Sequence, residues 1–303
     1  MFLPAALVVA LVQPAAAPKF EIADGDRIVW IGNTLVEREQ RYGYWETALH
    51  AAFPDKQFTL RNLGWSGDTV HGDARAGFEN AAKGFERLVS LTLELKPTVI
   101  FVSYGTNESF EGEVGLPKFE KGLEKLLDAL KPSKARVVLF TPLPFQAWPA
   151  AGRDPVVKKY SDAVRAVAER RKLAAADIGA KMDRSRSRSA APWPSLTDNG
   201  MHFDEHGYKF TADFFLSATG IEIPDRTPND LTRWVTTDRE PLRKAIVAKN
   251  ELFFHRWRPQ NETYLLGFRK HEQGNNAVEI KQFEPLVAKA DEEIETIRKT
   301  LKK

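Results

Sequence analysis

Apolar and polar positions follow two alternating regimes along the chain. Ile28-Val29-Trp30-Ile31, Val99-Ile100-Phe101-Val102 and Val137-Val138-Leu139-Phe140 are short unbroken apolar runs of strand length. Strands without a polar face are buried on both sides, so these three are expected at the centre of a mainly parallel sheet. Phe58-Thr59-Leu60 alternates and reads as an outer strand, and Leu173 to Ile178 is a weaker fifth candidate. Between the strands, apolar residues recur at helical spacing. Phe119, Leu123, Leu126, Leu127 and Leu130 share one helical face; Val156, Tyr160, Ala163, Val164 and Val167 share another, after Asp154 as N-cap and Pro155 at the first helical position. Strands alternating with helices predict an α/β fold. No internal repeat interrupts the pattern.

The first residues obey a different logic. An apolar run from Phe2 to Val12, followed by Gln13, Pro14 and Ala15-Ala16-Ala17, is too short to span a bilayer and reads as a secretory signal peptide. The expectation is cleavage after residue 17, a mature chain starting near Pro18, and export.

Composition narrows the chemistry. The 303 residues include no cysteine, which excludes a disulfide framework, a thiolate zinc site and a cysteine nucleophile. Any nucleophile must be an oxygen. Lys and Arg number 44 against 41 acidic residues, a net charge of +3, too balanced to argue for nucleic acid. A small-molecule or polysaccharide partner fits better, with neither nucleic acid nor stable membrane insertion.

Polar punctuation falls where the first three predicted strands end. Gly32-Asn33-Thr34 follows the first, Gly64-Trp65-Ser66-Gly67-Asp68 the second and Tyr104-Gly105-Thr106-Asn107-Glu108 the third. The carboxyl ends of an open parallel sheet converge on one crevice, the usual ligand site. Asp198-Asn199-Gly200-Met201-His202 precedes an apparent helix from Glu205 to Ser217 and can bring a histidine to the same rim. Glycine lets backbone approach a ligand, asparagine can donate to an oxyanion and histidine can shuttle a proton.

In this order the four segments resemble the blocks of the SGNH, or GDSL, hydrolases, a family of esterases and lipases. Ile31-Gly32-Asn33-Thr34 is similar to the nucleophile block, Asn62 to Asp68 to the glycine block, Gly105 to Glu108 to the asparagine block, and Asn199 to His202 to the terminal block. The resemblance implies a flavodoxin-like three-layer α/β/α sandwich. It makes the Gly67 backbone N–H and the Asn107 amide the oxyanion donors and His202 the general base, with no cofactor. It also places the hydrolase-type domain at residues 18–220 and leaves 221–303 as a helical C-terminal extension.

Two catalytic positions depart from the pattern. The family's serine falls on Thr34, and its aspartate, three residues before the histidine, on Asn199. Threonine can attack an ester, but its methyl crowds the approach and stiffens χ1. Asparagine can hold the ring by a hydrogen bond without stabilising imidazolium, and Asp198 offers a neighbouring replacement. The expected activity is hydrolysis of an ester on a carbohydrate. The alternative is a catalytically impaired glycan-binding protein on the same fold. A minor alternative arises from His202-Phe203-Asp204-Glu205-His206, which matches the H-x-x-E-H zinc-hydrolase pattern. That pattern needs both histidines on one helical face.

Substrate contacts are expected from Asn33, from Trp65 beside Gly67, and from Trp148 in a loop over 142–153 that also holds Phe145. In the extension, Pro224 and Pro228 mark a linker, and a helix is expected from near Arg239-Glu240-Pro241 toward Phe254. Residues 255–264 are expected to fold back over the crevice and supply substrate contacts through Arg256, Arg258 or Asn261, the alternative being an interdomain packing loop. Phe283, Val287, Ala290, Ile294, Ile297 and Leu301 form a narrow seam expected to dock on the chain's own body.

Overall fold

The computed structural model describes residues 20–145, 154–187, 194–220, 237–273 and 276–301. The expected signal peptide, the linker over 224–229 and Trp148 lie outside the described residues.

Strands β1 (Asp26–Gly32), β2 (Phe58–Gly64), β3 (Val99–Ser103), β4 (Arg136–Phe140) and β5 (Ala174–Ala176) form one parallel sheet in the order β2-β1-β3-β4-β5. The three unbroken apolar runs are β1, β3 and β4, and their alternate residues feed two cores. Trp30, Phe101 and Phe140 point to the face covered by α2 (Tyr44–Ala52) and α7 (Glu205–Ala218). Ile31, Ile100, Val102 and Leu139 point to the face covered by α3 (Ala81–Glu94), α4 (Leu116–Leu130) and α5 (Asp154–Arg171). The result is a three-layer α/β/α sandwich. Its strand order reverses direction at β1 and β3, the switch point where such sheets open a crevice at their carboxyl ends.

The expected outer strand is longer than its alternation suggested, because residues 61–64 continue the pairing with β1. Its outer edge is covered by two helices of the C-terminal region, α8 (Glu240–Trp257) and α10 (Phe283–Thr300), with the single-turn α9 (Glu262–Leu265) between them in the chain. The buried ammonium of Lys249 donates to Leu60 O at 2.9 Å and to Glu46 Oε1 at 2.6 Å, and Arg61 pairs with Asp291. Covering an edge in this way removes a row of unpaired backbone groups from solvent. The apolar seam of α10 docks as expected: Ile294, Ile297 and Leu301 pack on Leu242, Ala245 and Ile246 of α8, while Val287 joins the core with Phe253 and Trp257.

The fifth strand is shorter than the run that suggested it. Asp177 accepts the Ala180 N–H at 2.8 Å and caps α6 (Ile178–Arg186), so Ile178 starts a helix. Asp154 opens α5, but its carboxylate takes the N–H of Phe145 at 2.9 Å.

Candidate active site

Three strand ends build the rim. Gly32 closes β1, and Asn33 caps helix α1 (Thr34–Tyr42) by accepting the Leu35 N–H at 3.1 Å. Thr34 is therefore the first residue of that helix. Gly64 closes β2, and Trp65 N–H donates to Gly32 O at 3.0 Å. The chain then turns through Gly67 at φ +75°, a left-handed conformation natural to glycine, and the Gly67 N–H donates to Thr34 Oγ1 at 3.1 Å. After β3, the Asn107 amide donates to Asp68 O at 2.7 Å; the second N–H of that amide remains for another acceptor.

Two buried groups fix these loops, and the sequence pattern gave neither a role. Asp68, fully buried, accepts from Arg75 Nε at 2.6 Å and from the Tyr104 hydroxyl at 2.9 Å, while Arg75 also donates to Leu63 O at 2.8 Å. Glu108 accepts the N–H of Val70 and of Gly105, both at 2.8 Å, and so ties the glycine segment to the asparagine segment. Burial pushes its carboxyl up to about 7. Its signal was position alone: a carboxylate directly after Asn107.

The histidine segment is anchored on the opening turns of α1. Asp198 pairs with Arg38 at 2.5 Å, and the Tyr208 hydroxyl donates to Leu35 O at 2.6 Å. Asn199 Oδ1 accepts two backbone N–H groups, from Met201 at 3.1 Å and from His202 at 2.9 Å. These two bonds fix the orientation of the amide. Its Nδ2 therefore lies 3.0 Å from Nδ1 of His202 as a donor, so Nδ1 accepts and the neutral ring carries its proton on Nε2. Burial lowers the His202 pKa, and the Arg38 charge lowers it further against the opposing pull of Asp198. Asp198 is no stand-in for a triad acid, because its carboxylate is committed to Arg38.

Several expected substrate contacts are corrected by their surroundings. The Asn33 side chain is buried and used as a helix cap. The Trp65 ring is covered: the guanidinium of Arg258 lies 3.7 Å from its centroid and Trp257 meets it edge-on at 5.8 Å. Arg258 is in turn bonded to Glu37 at 2.9 Å. Arg256 bonds Glu94 at 2.8 Å and Glu284 at 2.9 Å, and Glu94 ends α3 just before β3 begins, toward the amino ends of the strands. Residues 255–264 thus pack beside the glycine segment through Arg258, while Arg256 ties helices together. Phe145 is buried against Phe110 and Val157.

The H-x-x-E-H pattern is broken by the fold. Helix α7 begins at Glu205, capped by Asp204, so His202 precedes the helix and shares no helical face with His206. Glu205 is bonded to the Tyr44 hydroxyl at 2.8 Å. Among the described residues, no cluster of three or more His, Asp or Glu side chains is disposed to hold a metal ion.

Known proteins share this architecture. The sequence pattern of the GDSL-like Lipase/Acylhydrolase family matches residues 24–210, which span β1 to the first turns of α7. No curated protein sequence matches the chain significantly. Among solved structures, a variant of an acetyl xylan esterase from Geobacillus stearothermophilus superposes with a TM-score of 0.55 at 20% identity, covering 68% of this chain and 99% of its own. A putative GDSL-like lipase from Parabacteroides merdae gives 0.55 at 18% identity, over 68% and 100%. An α/β hydrolase from the metagenome of Lake Arreo gives 0.52 at 22% identity, over 66% and 97%. At such identities the structures attest the fold. The family pattern covers most of the chain and includes every segment that builds the rim, and on that ground the chain belongs to the GDSL-like lipase/acylhydrolase family.

Proposed function

We propose that the protein is an exported ester hydrolase that removes an acyl group from a carbohydrate. The observation that carries this reading is the Gly67 N–H held on Thr34 Oγ1 at 3.1 Å, which sets a hydroxyl beside an oxyanion donor. In the reaction, Thr34 Oγ1 attacks the acyl carbon as Nε2 of His202 takes the hydroxyl proton. The carbonyl oxygen becomes an oxyanion, bound by the Gly67 N–H and the second N–H of the Asn107 amide. Collapse breaks the bond to the sugar oxygen, which takes the proton from His202 and leaves as the sugar hydroxyl. Water then attacks the acyl-threonine by the same route and releases the acid. The chemistry calls for no cofactor. Among similar structures, the enzyme from Geobacillus stearothermophilus bears the name acetyl xylan esterase, which supports a carbohydrate ester as substrate. The apolar run over Phe2–Val12 with Ala15–Ala17 supports export.

One observation favours a second reading, a glycan-binding protein without turnover. The Asn199 amide holds His202 with its proton on Nε2, so proton uptake there first requires the other tautomer, with two donors facing each other across 3.0 Å. The hydrolase is accordingly expected to be slow. Mass spectrometry after exposure to an active-site phosphonate separates the two readings. An adduct on Thr34 supports the hydrolase; an unlabelled protein that still retains acylated glycans supports the binding protein.

A further inference from the structure

The nucleophile helix and the glycine segment meet at a junction gripped from outside by the C-terminal region. Backbone touches backbone there: a Cβ on Gly64 would lie 2.2 Å from the Glu37 nitrogen. From within, the Asn62 amide donates to Val36 O at 2.6 Å and its oxygen accepts the Gly64 N–H at 2.8 Å. From the outer side comes Arg258, the residue just past the end of α8. Its Nη1 donates to Glu37 Oε1 at 2.9 Å, and its guanidinium carbon lies over the Trp65 ring, 3.7 Å from the ring centre. Glu37 stands one helical turn beyond Thr34, and Trp65 two residues before Gly67. Arg75 and Arg87 also face Trp65, each at 5.4 Å, but their charges are taken by Asp68 and Glu262. Arg258 differs from both in bridging to the Thr34 helix.

We infer that Arg258 is a positioning residue: it clamps the helix of Thr34 to the segment of Gly67 and so sets the geometry between the attacking hydroxyl and the oxyanion donor. The inference rests on the reading of Thr34 and Gly67 given above. A flat guanidinium suits the task because it stacks on an aromatic face while its edge donates to a carboxylate. Holding the two pieces matters because reacting groups must be kept within about 0.5 Å of productive geometry, and a 1 Å misplacement can cost about 10²-fold in rate. The C-terminal region thereby becomes part of the site's framework without contacting substrate.

The test uses the full chain and two independent readings: hydrolysis of p-nitrophenyl acetate, and the backbone amide order parameter of Gly67 by NMR. Arg258→Ala should lower kcat about tenfold with KM unchanged. It should also move Gly67 from the rigid range, about 0.85, toward the flexible range below about 0.6, while the amides of β1 stay rigid. Arg258→Lys keeps the charge toward Glu37 and loses the stacking face; it should fall between, and it carries the test if the alanine variant does not fold. Asp291→Ala, which cuts a different tie between the C-terminal region and β2, should change neither reading. The clamp is overturned by a Gly67 order parameter unchanged in Arg258→Ala, by a rise in KM alone, by a lysine variant equal to wild type in both readings, or by equal effects from Asp291→Ala. Absence of esterase activity in the wild type would refute the hydrolase reading, and the order parameters would still decide the clamp.

Discussion

Asn199 presents its amide nitrogen, 3.0 Å away, to the ring nitrogen of His202 that a triad acid would face with an oxygen. The amide cannot turn over without giving up two backbone N–H groups, from Met201 and His202, now accepted by its oxygen. The amide at position 199 thus decides which side of the imidazole carries the proton.

Asn199→Asp should reverse that choice. A carboxylate can keep accepting the two backbone N–H groups through one oxygen and take Nδ1–H with the other, leaving Nε2 free to accept a proton. The gain in kcat on p-nitrophenyl acetate should approach, at most, the factor of about 10⁴ lost by the opposite change in a serine-protease triad. The added negative charge favours imidazolium and raises the His202 pKa, so the acidic limb of the pH–rate profile should move to higher pH. Ring nitrogen chemical shifts report the tautomer directly, and an unchanged tautomer in the variant would undo the argument.

Thr34→Ser should raise the rate on small activated esters, because serine keeps the hydroxyl and removes the crowding methyl beside Gly67. His202→Ala should fall to background, and Asn107→Ala should cost about 10²–10³ in kcat if the amide is an oxyanion donor. Combined with Asn199→Asp, the serine change acts on the same catalytic unit, so the two gains need not multiply. Glycan retention without hydrolysis in wild type, single and double variants would leave recognition as the function of the crevice.

Much of the fold could be read from the sequence because three central strands are apolar on both faces and turn-forming segments follow them directly. The end of β2 is harder to read: Asn62 breaks the alternation that Arg61 still keeps, and their partners, Val36 on α1 and Asp291 on α10, lie far away in sequence. The same holds within the site. Thr34, Gly67, Asn107 and His202 stood out as residue types at strand ends or before a helix. Trp65 looked like a free stacking surface, since no local pattern reveals that Arg258 covers its ring. Nothing local in the sequence marks Arg75 and Lys249 as buried; only the fold brings them to their partners Asp68 and Glu46.

Glu39 gives the molecule a pH dependence of stability unrelated to the site. Its buried carboxyl accepts the N–H of Trp45 at 2.8 Å and of Glu46 at 3.1 Å, through one oxygen. Burial, together with the Glu46 charge and against the opposing Lys249, raises it from 4.5 to about 8. A carboxyl raised in the folded state loses its proton first in the unfolded chain, so its contribution to stability is full below about pH 4.5 and declines up to about pH 8. Glu39→Gln keeps the accepting oxygen and cannot ionise. Urea unfolding at pH 5 and pH 8 should show a smaller loss in the variant than in wild type, and equal losses would remove Glu39 as the cause.

Truncation after Gln282 removes α10 and tests whether that helix serves its own chain. Val287 and Ile294 are buried on the body of the protein, and Arg298 donates to Phe53 O at 2.9 Å and Pro54 O at 2.8 Å. Burying one such aliphatic side chain is worth about 1.5–3 kcal/mol, so losing two costs several kcal/mol before the exposed faces of α8 and β2 are counted. For a chain of this size that corresponds to a fall in Tm of about 10 °C. Because Ile294, Ile297 and Leu301 of the α10 seam pack on α8 of the same chain, the fall should be the same at low and high protein concentration. A melting temperature that rises with concentration in the full chain, and not in the truncated one, would instead mean that α10 pairs two molecules.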